Sequence, residues 1–332
     1  MTAPTAAPAD TKRDAAKHVL RGVAMGGADI VPGVSGGTVA LILGVYGRLV
    51  TAVSRVDGTL LGHVKARRWR SAADYLDLRL LVPLGVGILT GVAILGSLMN
   101  TLLERHHQVT LGAFFGLIAA SSLFVARLVP KWTGTAVAMV PLGALFGFLL
   151  VSLPGLDDPP DGLWYLFVCG SIGICAMILP GISGAFLLLI LGVYHDITGL
   201  IKSAVKLELA TADLTKVAVF GAGLVFGILT FSKFLRWLLA VAESATLAFL
   251  CGLMLGSLRK LWPFQVELTA GQDLKFKERK FENLWIEDVP VDDRFWLTLG
   301  VAAVGAAVVI GLDIYAGRTE AEQLDEAEAD AA

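Results

Sequence analysis

The sequence predicts an all-α polytopic membrane protein made of two inverted-topology repeats, each a broken, re-entrant helical hairpin followed by three transmembrane helices. Three observations lead to this fold class. The 332 residues are 55% hydrophobic and only 17% charged, whereas soluble domains are about 25% charged. The chain contains six long apolar windows and two further apolar stretches that are interrupted by Pro-Gly. The second interrupted stretch repeats the first.

Composition also excludes several classes of function. A mean hydropathy of +0.72 argues against a soluble enzyme, a disordered chain or a fibre. The net charge is −2, so no basic field indicates a nucleic-acid partner. The three cysteines lie in apolar runs without the spacing of metal ligands, and no metal or other cofactor is expected.

Six windows fit single crossings, because about 20 apolar residues span the bilayer core. They are residues 80–103, 108–126, 132–153, 217–239, 244–258 and 295–312. Lys233 and Arg236 are the charges inside the fourth window. They are candidates for attracting an anion, although extension of both side chains to the cytoplasmic interface explains them at least as well.

Two other stretches are interrupted apolar segments rather than simple crossings. Residues 162–194 are uncharged, and a continuous helix of that length would be about 50 Å long against a core of about 30 Å. Pro180 and Gly181 lie within it, and Pro32 and Gly33 interrupt residues 22–47 in the same way. Proline removes a backbone donor and glycine lets the chain bend. Both stretches therefore predict helix–break–helix hairpins.

The two hairpins form an internal repeat. Residues 30–46 read IVPGVSGGTVALILGVY and residues 178–194 read ILPGISGAFLLLILGVY, a gapless offset of 148. A second match follows at an offset of 136, where Gly85, Gly87 and Gly91 correspond to glycines 221, 223 and 227. Each half then crosses the membrane an odd number of times, so the halves are inverted, as in many secondary transporters. This parity changes if residues 15–30 lie flat on the membrane surface while residues 34–56 span the membrane.

The predicted organisation follows from these repeats. It comprises a disordered tail (1–14), a first repeat (15–155), a second repeat (156–316) with a loop insertion (262–294), and an acidic tail (317–332). No signal peptide is expected at the start of the chain. Bases are concentrated before residue 80 and acids in 154–162, which predicts a cytoplasmic N-terminus, although the later loop also holds several bases.

The break in each hairpin is predicted to bind an anion. The first amides of a half-helix have no intrahelical partner, and the helix dipole adds partial positive charge there. Ser35 can cap these amides or face a ligand, while Gly36 and Gly37 leave them open; Ser183 and Gly184 offer the same in the second half. The alternative is that this motif only turns the hairpin and packs closely.

Asp29 is the acid inside the first hairpin, and its counterpart in the second half is Met177. An acid at membrane depth is a functional candidate by default. It could carry a proton, or it could instead hydrogen-bond the break. We leave both roles open.

Two segments carry a family resemblance. GGADIVPGVSGGTVALILGVYGRL (26–49) and MILPGISGAFLLLILGVYHDI (177–197) resemble the signatures of the bacterial polyprenyl-phosphate transporter family, PopT. FFGLIAASS (114–122) and FLCGLMLGS (249–257) are similar to that family too. The resemblance implies a protein of the cytoplasmic membrane that is not an enzyme. It would return undecaprenyl phosphate or a related carrier lipid from the outer to the cytoplasmic leaflet, where cell-envelope synthesis reuses it.

The implied partners are a polyprenyl-phosphate lipid and membrane lipids, and Asp29 adds protons as a hypothesis; an oligomeric state is not predicted. The positions that match the family motif and are expected to bind the substrate are Asp29, Pro32, Gly33, Ser35, Gly36, Gly37, Pro180, Gly181, Ser183 and Gly184. Two competing functions use the same features. One is a secondary transporter of another small anion, and the other is an intramembrane polyprenyl-diphosphate phosphatase.

Overall fold

The structure is a computed structural model that describes residues 12–29, 35–156, 158–205, 211–269, 279 and 281–311. Most of both predicted tails lies outside these ranges, and so do Pro32 and Gly33. The first helix begins at Lys12, slightly before the predicted boundary at residue 15.

The described residues are mainly helical. The helices are α1 (Lys12–Asp29), α2 (Gly36–Ile42), α3 (Tyr46–Ser54), α4 (Gly58–Lys65), α5 (Trp69–Tyr75), α6 (Leu78–Arg105), α7 (His107–Arg127), α8 (Gly134–Ser152), α9 (Leu163–Ile178), α10 (Gly184–Ile190), α11 (Tyr194–Val205), α12 (Thr211–Val241), α13 (Glu243–Ser257) and α14 (Asp293–Gly311). Two short strands, β1 (Gln265–Glu267) and β2 (Phe281–Asn283), pair antiparallel in the loop before α14.

Within the described ranges, six helices are long and apolar enough to cross a membrane: α6, α7, α8, α12, α13 and α14. They coincide with the six predicted windows, which confirms that part of the fold class. The last turn of α13 continues as a 3-10 turn to Leu261. A seventh span is formed if α2 and α3, which are bent by 120°, count as one.

Both interrupted stretches contain two helices, as predicted. In the first, α1 and α2 flank residues 30–34; in the second, α9 and α10 flank the turn at Pro180–Gly181. The shared LILGVY run ends the short helix in both places. Gly44 (φ +67°) and Gly192 (φ +74°) adopt the left-handed conformation there, which side chains with a Cβ rarely adopt.

Glycines bring the hairpins against the long helices. A Cβ on Gly87 of α6 would overlap the carbonyl oxygen of Val19 on α1, and a Cβ on Gly223 of α12 would overlap that of Phe167 on α9. Each pair is related by the sequence offsets of 136 and 148, and the next glycines, at 91 and 227, repeat the contact with residues 23 and 171. Because these contacts advance together along both helices, α1 runs parallel to α6, and α9 runs parallel to α12.

The second and third spans of each half pack against spans of the other half. Gly116 of α7 lies against Ala302 of α14, and Gly252 of α13 lies against Val140 of α8. The third span of each half therefore packs on the second span of the other half. The buried core lies between them and includes Ile118, which is fully buried.

A charged pair ties α3 to the start of α6. Arg48 Nε donates to Asp77 Oδ2 at 2.6 Å, and Arg48 Nη2 donates to Asp77 Oδ1 at 2.9 Å. The Asp77 side chain is 6% exposed, and its backbone is left-handed (φ +54°). Two parallel charge-assisted bonds of this kind are strong and specific in orientation.

We expect Arg48→Gln to lower the free energy of unfolding by about 2 kcal/mol, because the Asp77 carboxylate stays buried without its charged partner. Unfolding in detergent by denaturant measures the change. The double variant Arg48→Gln/Asp77→Asn is expected to lose less than the sum of the single variants. Additive losses would contradict the coupling.

Candidate functional site

The two hairpins touch at their breaks. Ser35, which precedes α2 and is fully buried, places its Oγ 3.2 Å from the carbonyl oxygens of both Met177 and Leu179. Its hydroxyl proton is shared between these two acceptors, which belong to the second hairpin. The sequence predicted that Ser35 caps the half-helix or faces a ligand; in the structure it caps α2 and also bridges the two halves of the molecule.

A second hydrogen bond crosses the same contact in the opposite direction. The backbone N–H of Gly181 donates to Thr38 Oγ1 at 2.8 Å, and both residues are buried. Gly181 has φ +86°, so this turn requires glycine. Sequence reasoning did not single out Thr38. The repeat could have drawn attention to Thr38, because the equivalent position in the second half is occupied by Phe186.

The amides that were predicted to be open have partners within the protein. Gly36 N–H donates to Asp29 Oδ1 at 2.6 Å, and Gly37 N–H donates to Ser35 Oγ at 3.1 Å. Asp29, the last residue of α1, thus caps the start of α2 across the break. A Cβ on Gly36 would lie 2.7 Å from Asp29 Oδ2, so a larger residue there would push the carboxylate away.

The second hairpin has the same backbone plan without the carboxylate. Pro180, Gly181, Ser183 and Gly184 are all buried, and Ser183 Oγ accepts from the N–H of Phe186 at 3.5 Å. The side chain of Met177 lies against Gly184, as Asp29 lies against Gly36. The site is therefore polar and acidic on one side and apolar on the other.

We expect Thr38→Val to destabilise the contact between the hairpins by about 1–3 kcal/mol, because the buried N–H of Gly181 loses its acceptor. Thr38→Ser keeps the hydroxyl and serves as the control. Thermal unfolding of both variants in detergent tests this. Equal melting temperatures for the valine and serine variants would be evidence that the hydrogen bond contributes nothing.

Lys233 and Arg236 are both exposed on α12. The charge of Lys233 is close enough to act on Asp57, which caps α4 in the basic segment after the first hairpin. This surrounding favours the interface role over attraction of a phosphate at the hairpins.

Two cations missed by sequence reasoning lie near the second hairpin. Lys260 Nζ is 4.6 Å from the ring centroid of Phe186, which follows Ser183 on α10, and Arg259 Cζ is 4.7 Å from the ring centroid of Phe148 on α8. The sequence feature that could have drawn attention to Arg259 and Lys260 is their position directly after the apolar window 244–258. Within the described residues, no group of three His, Cys, Asp or Glu side chains suits a metal ion.

Comparison with known proteins agrees with the resemblance. Residues 25–278 match a family model described as undecaprenyl phosphate translocase-like. A protein of Vibrio cholerae named polyprenyl-phosphate transporter is 36% identical over 303 residues, which is 90% of this chain and 96% of that protein. A protein of the same name from Staphylococcus aureus is 32% identical over 257 residues, which is 74% of this chain and 86% of the relative. No solved structure matches the chain significantly.

These names describe transport rather than an enzymatic reaction. Together with the six long apolar helices, they indicate a multi-pass membrane protein. The family match spans more than half of the chain, and the Vibrio cholerae relative covers nearly all of it. The chain therefore belongs to the undecaprenyl phosphate translocase-like family.

Proposed function

We propose that this protein moves polyprenyl phosphate, such as undecaprenyl phosphate, from the outer to the cytoplasmic leaflet of the cytoplasmic membrane. The relatives named polyprenyl-phosphate transporters support the class of substrate. The observation that carries the site is the polar contact between the two hairpins, formed by Ser35, Thr38 and Gly181. It places hydroxyl and amide groups of both halves together inside an apolar helical protein.

The proposed architecture is a pair of inverted repeats. Three spans, α6 to α8, separate the first hairpin from the second, so α1 and α9 enter from opposite faces. Each then runs parallel to the first span of its own half, with glycine contacts at equivalent positions. In this arrangement the hairpins reach the contact from opposite leaflets, as the two halves of many transporters do.

The orientation rests on the basic residues that follow the first hairpin. Six of them occur between residues 54 and 79, while residues 154–162 contain acids and no base. Positive loops remain on the cytoplasmic side. The N-terminus and α4 are then cytoplasmic, and the loop between α13 and α14 faces outward. In this orientation, lipid taken from the outer leaflet is delivered to the cytoplasmic leaflet, where cell-envelope synthesis uses it.

The phosphate is proposed to bind where the carboxylate of Asp29 now lies. Asp29 Oδ1 accepts the N–H of Gly36 at 2.6 Å, and a phosphate oxygen is an equally suitable acceptor. A phosphate monoester carries about −1.5 to −2 charges, so it and an ionised Asp29 repel each other. Protonation of Asp29 removes this repulsion. Proton uptake by Asp29 would thus couple headgroup binding to the proton gradient.

Transport then follows from alternating exposure of the shared contact to the two leaflets. Only the charged headgroup needs a polar path, because the prenyl chain stays in the surrounding lipid throughout. The hydrogen bonds between the hairpins break and re-form as one half moves against the other.

The test is transport by the purified full-length protein in vesicles. Polyprenyl phosphate is supplied to one leaflet and its appearance in the other is measured, with and without a pH gradient. We expect transfer of the phosphate lipid and none of the matching prenyl alcohol. Transfer of inorganic phosphate at a comparable rate would support the small-anion alternative, and release of phosphate from polyprenyl diphosphate would support the phosphatase. Either result, without lipid transfer, would overturn the proposal.

A further inference from the structure

The end of α13 carries two adjacent cations with different surroundings. Arg259 is exposed and lies over the ring of Phe148, whereas Lys260 is half-buried and lies over the ring of Phe186 in the second hairpin. No carboxylate among the described residues pairs with either cation. Two consecutive residues thus face different surroundings: Arg259 faces outward and Lys260 faces the second hairpin.

Two clefts meet at Arg259. The first, of about 300 Å³, is lined in part by the aromatic rings of Phe115, Trp262 and Trp285. The second, of about 500 Å³, is apolar and lies between α8 and α13. Phe148 and Arg259 line both. A ligand whose charged group binds Arg259 can therefore lay an attached apolar chain along the surface of the protein.

Hydrogen bonds hold the aromatic cleft in shape. Asn283 Nδ2 donates to the carbonyl oxygen of Arg259 at 2.8 Å, and Trp262 Nε1 donates to that of Leu284 at 3.1 Å. These bonds fix the loop after β2 beside the end of α13. The tip of this loop, at Trp285 and Ile286, is 79% exposed at both residues. Tryptophan is enriched at the level of lipid headgroups.

The second cleft lies on the exposed side of two apolar helices that are long enough to span a membrane. Gly252 and Gly256 bring α13 close to α8, and beside this contact Leu145 of α8 is 55% exposed. The groove has the apolar lining that a prenyl chain needs, and Arg259 at its end has the charge that a phosphate needs. A soluble anion has no apolar chain that could occupy the groove.

We propose that this surface is the loading site for the lipid, a proposal that rests on the proposed function. Arg259 binds the phosphate of a polyprenyl phosphate while the groove between α8 and α13 holds the first part of its prenyl chain. Lys260 then receives the phosphate on the side of Phe186 and passes it to the hairpin contact. Residues 283–286, which belong to the predicted insertion between α13 and α14, form one wall of this site.

Binding of farnesyl phosphate to the full-length protein in nanodiscs tests the first step. We expect Arg259→Gln to weaken binding about tenfold or more, since a charge-assisted hydrogen bond is lost, and Arg259→Lys to retain part of it. Arg105→Gln, which changes another exposed arginine at the end of α6, is the matched control and should bind as the unchanged protein does. Thermal unfolding of each variant verifies that it is folded.

The outcomes separate this proposal from the proposed function. If the unchanged protein binds farnesol as well as farnesyl phosphate, or binds inorganic phosphate as tightly, the lipid function itself is wrong. If it prefers farnesyl phosphate but Arg259→Gln and Arg105→Gln bind equally well, only the loading site is wrong.

Two further measurements test the groove and Lys260. A farnesyl phosphate with a photoreactive prenyl chain is expected to label α8 and α13; labelling confined to other helices would overturn the groove assignment. Lys260→Gln is expected to keep farnesyl phosphate binding within about threefold but to slow lipid transfer in vesicles about tenfold or more. Unchanged transfer would remove Lys260 from the path.

Discussion

Asp29→Asn is expected to slow transport of polyprenyl phosphate at least about tenfold and to abolish its dependence on a pH gradient. Asparagine keeps an oxygen that can accept the N–H of Gly36, so the break between α1 and α2 retains its cap. It can neither take up a proton nor carry a negative charge. The loss would therefore come from the proton chemistry of Asp29 and not from a collapsed hairpin.

The measurement is initial transfer rate in vesicles at a series of imposed pH gradients. Asp161→Asn, which neutralises an exposed acid in the connection before α9, is the control and should respond to the gradient as the unchanged protein does. An Asp29→Asn protein with its full gradient dependence would remove the coupling role from Asp29.

Alanine at Gly87 or Gly223 is expected to destabilise the protein by about 1–3 kcal/mol or more, because the new Cβ would overlap the backbone of the neighbouring helix. Gly85 and Gly221 precede them by two residues and have open space where a Cβ would lie. Alanine at these positions is expected to leave stability unchanged or raise it by about 0.5–1 kcal/mol, as at ordinary helical positions.

Thermal unfolding in detergent compares the four single variants. The expected pattern is the same in both halves: loss at 87 and 223, and none at 85 and 221. A loss in one half alone would contradict the equivalence of the two helix pairs. Equal losses at all four positions would show that helix propensity, and not close packing, determines the effect.

The elements that the sequence predicted well are those set by local chemistry. Apolar windows of sufficient length became the six long helices, and Pro-Gly with the LILGVY run marked the breaks and turns of both hairpins. The repeat also anticipated that residues around Gly87 and Gly223 share one role. In each case the information lies within a short segment.

The features that escaped the sequence depend on long-range packing. Nothing local indicates that α8 packs on α13 and α14 on α7, or that Ser35 meets the carbonyl oxygens of Met177 and Leu179. Arg259 and Lys260 resembled the basic residues found at the ends of many helices, because the aromatic rings that they contact, Phe148 and Phe186, are distant in sequence. The open amides expected at Gly36 and Gly37 were found capped, since Asp29 and Ser35 provide acceptors at short range.

The central claim is that the phosphate headgroup binds where the two hairpins meet, and an isotope-labelling experiment tests it most directly. Serine is followed by glycine at only two places in the chain, Ser35–Gly36 and Ser183–Gly184. Carbonyl-¹³C serine combined with ¹⁵N glycine therefore selects one amide in each hairpin. Solid-state NMR can then measure the dipolar coupling between each amide nitrogen and the phosphorus of bound polyprenyl phosphate.

We expect phosphorus within about 4 Å of the Gly36 nitrogen, the distance of one N–H···O–P hydrogen bond, together with a measurable coupling to Gly184. The coupling to Gly36 should strengthen when the sample is acidified, since neutral Asp29 no longer repels the phosphate and is a weaker acceptor for that amide than the carboxylate is. Saturating lipid that shows no coupling to either nitrogen would contradict the account.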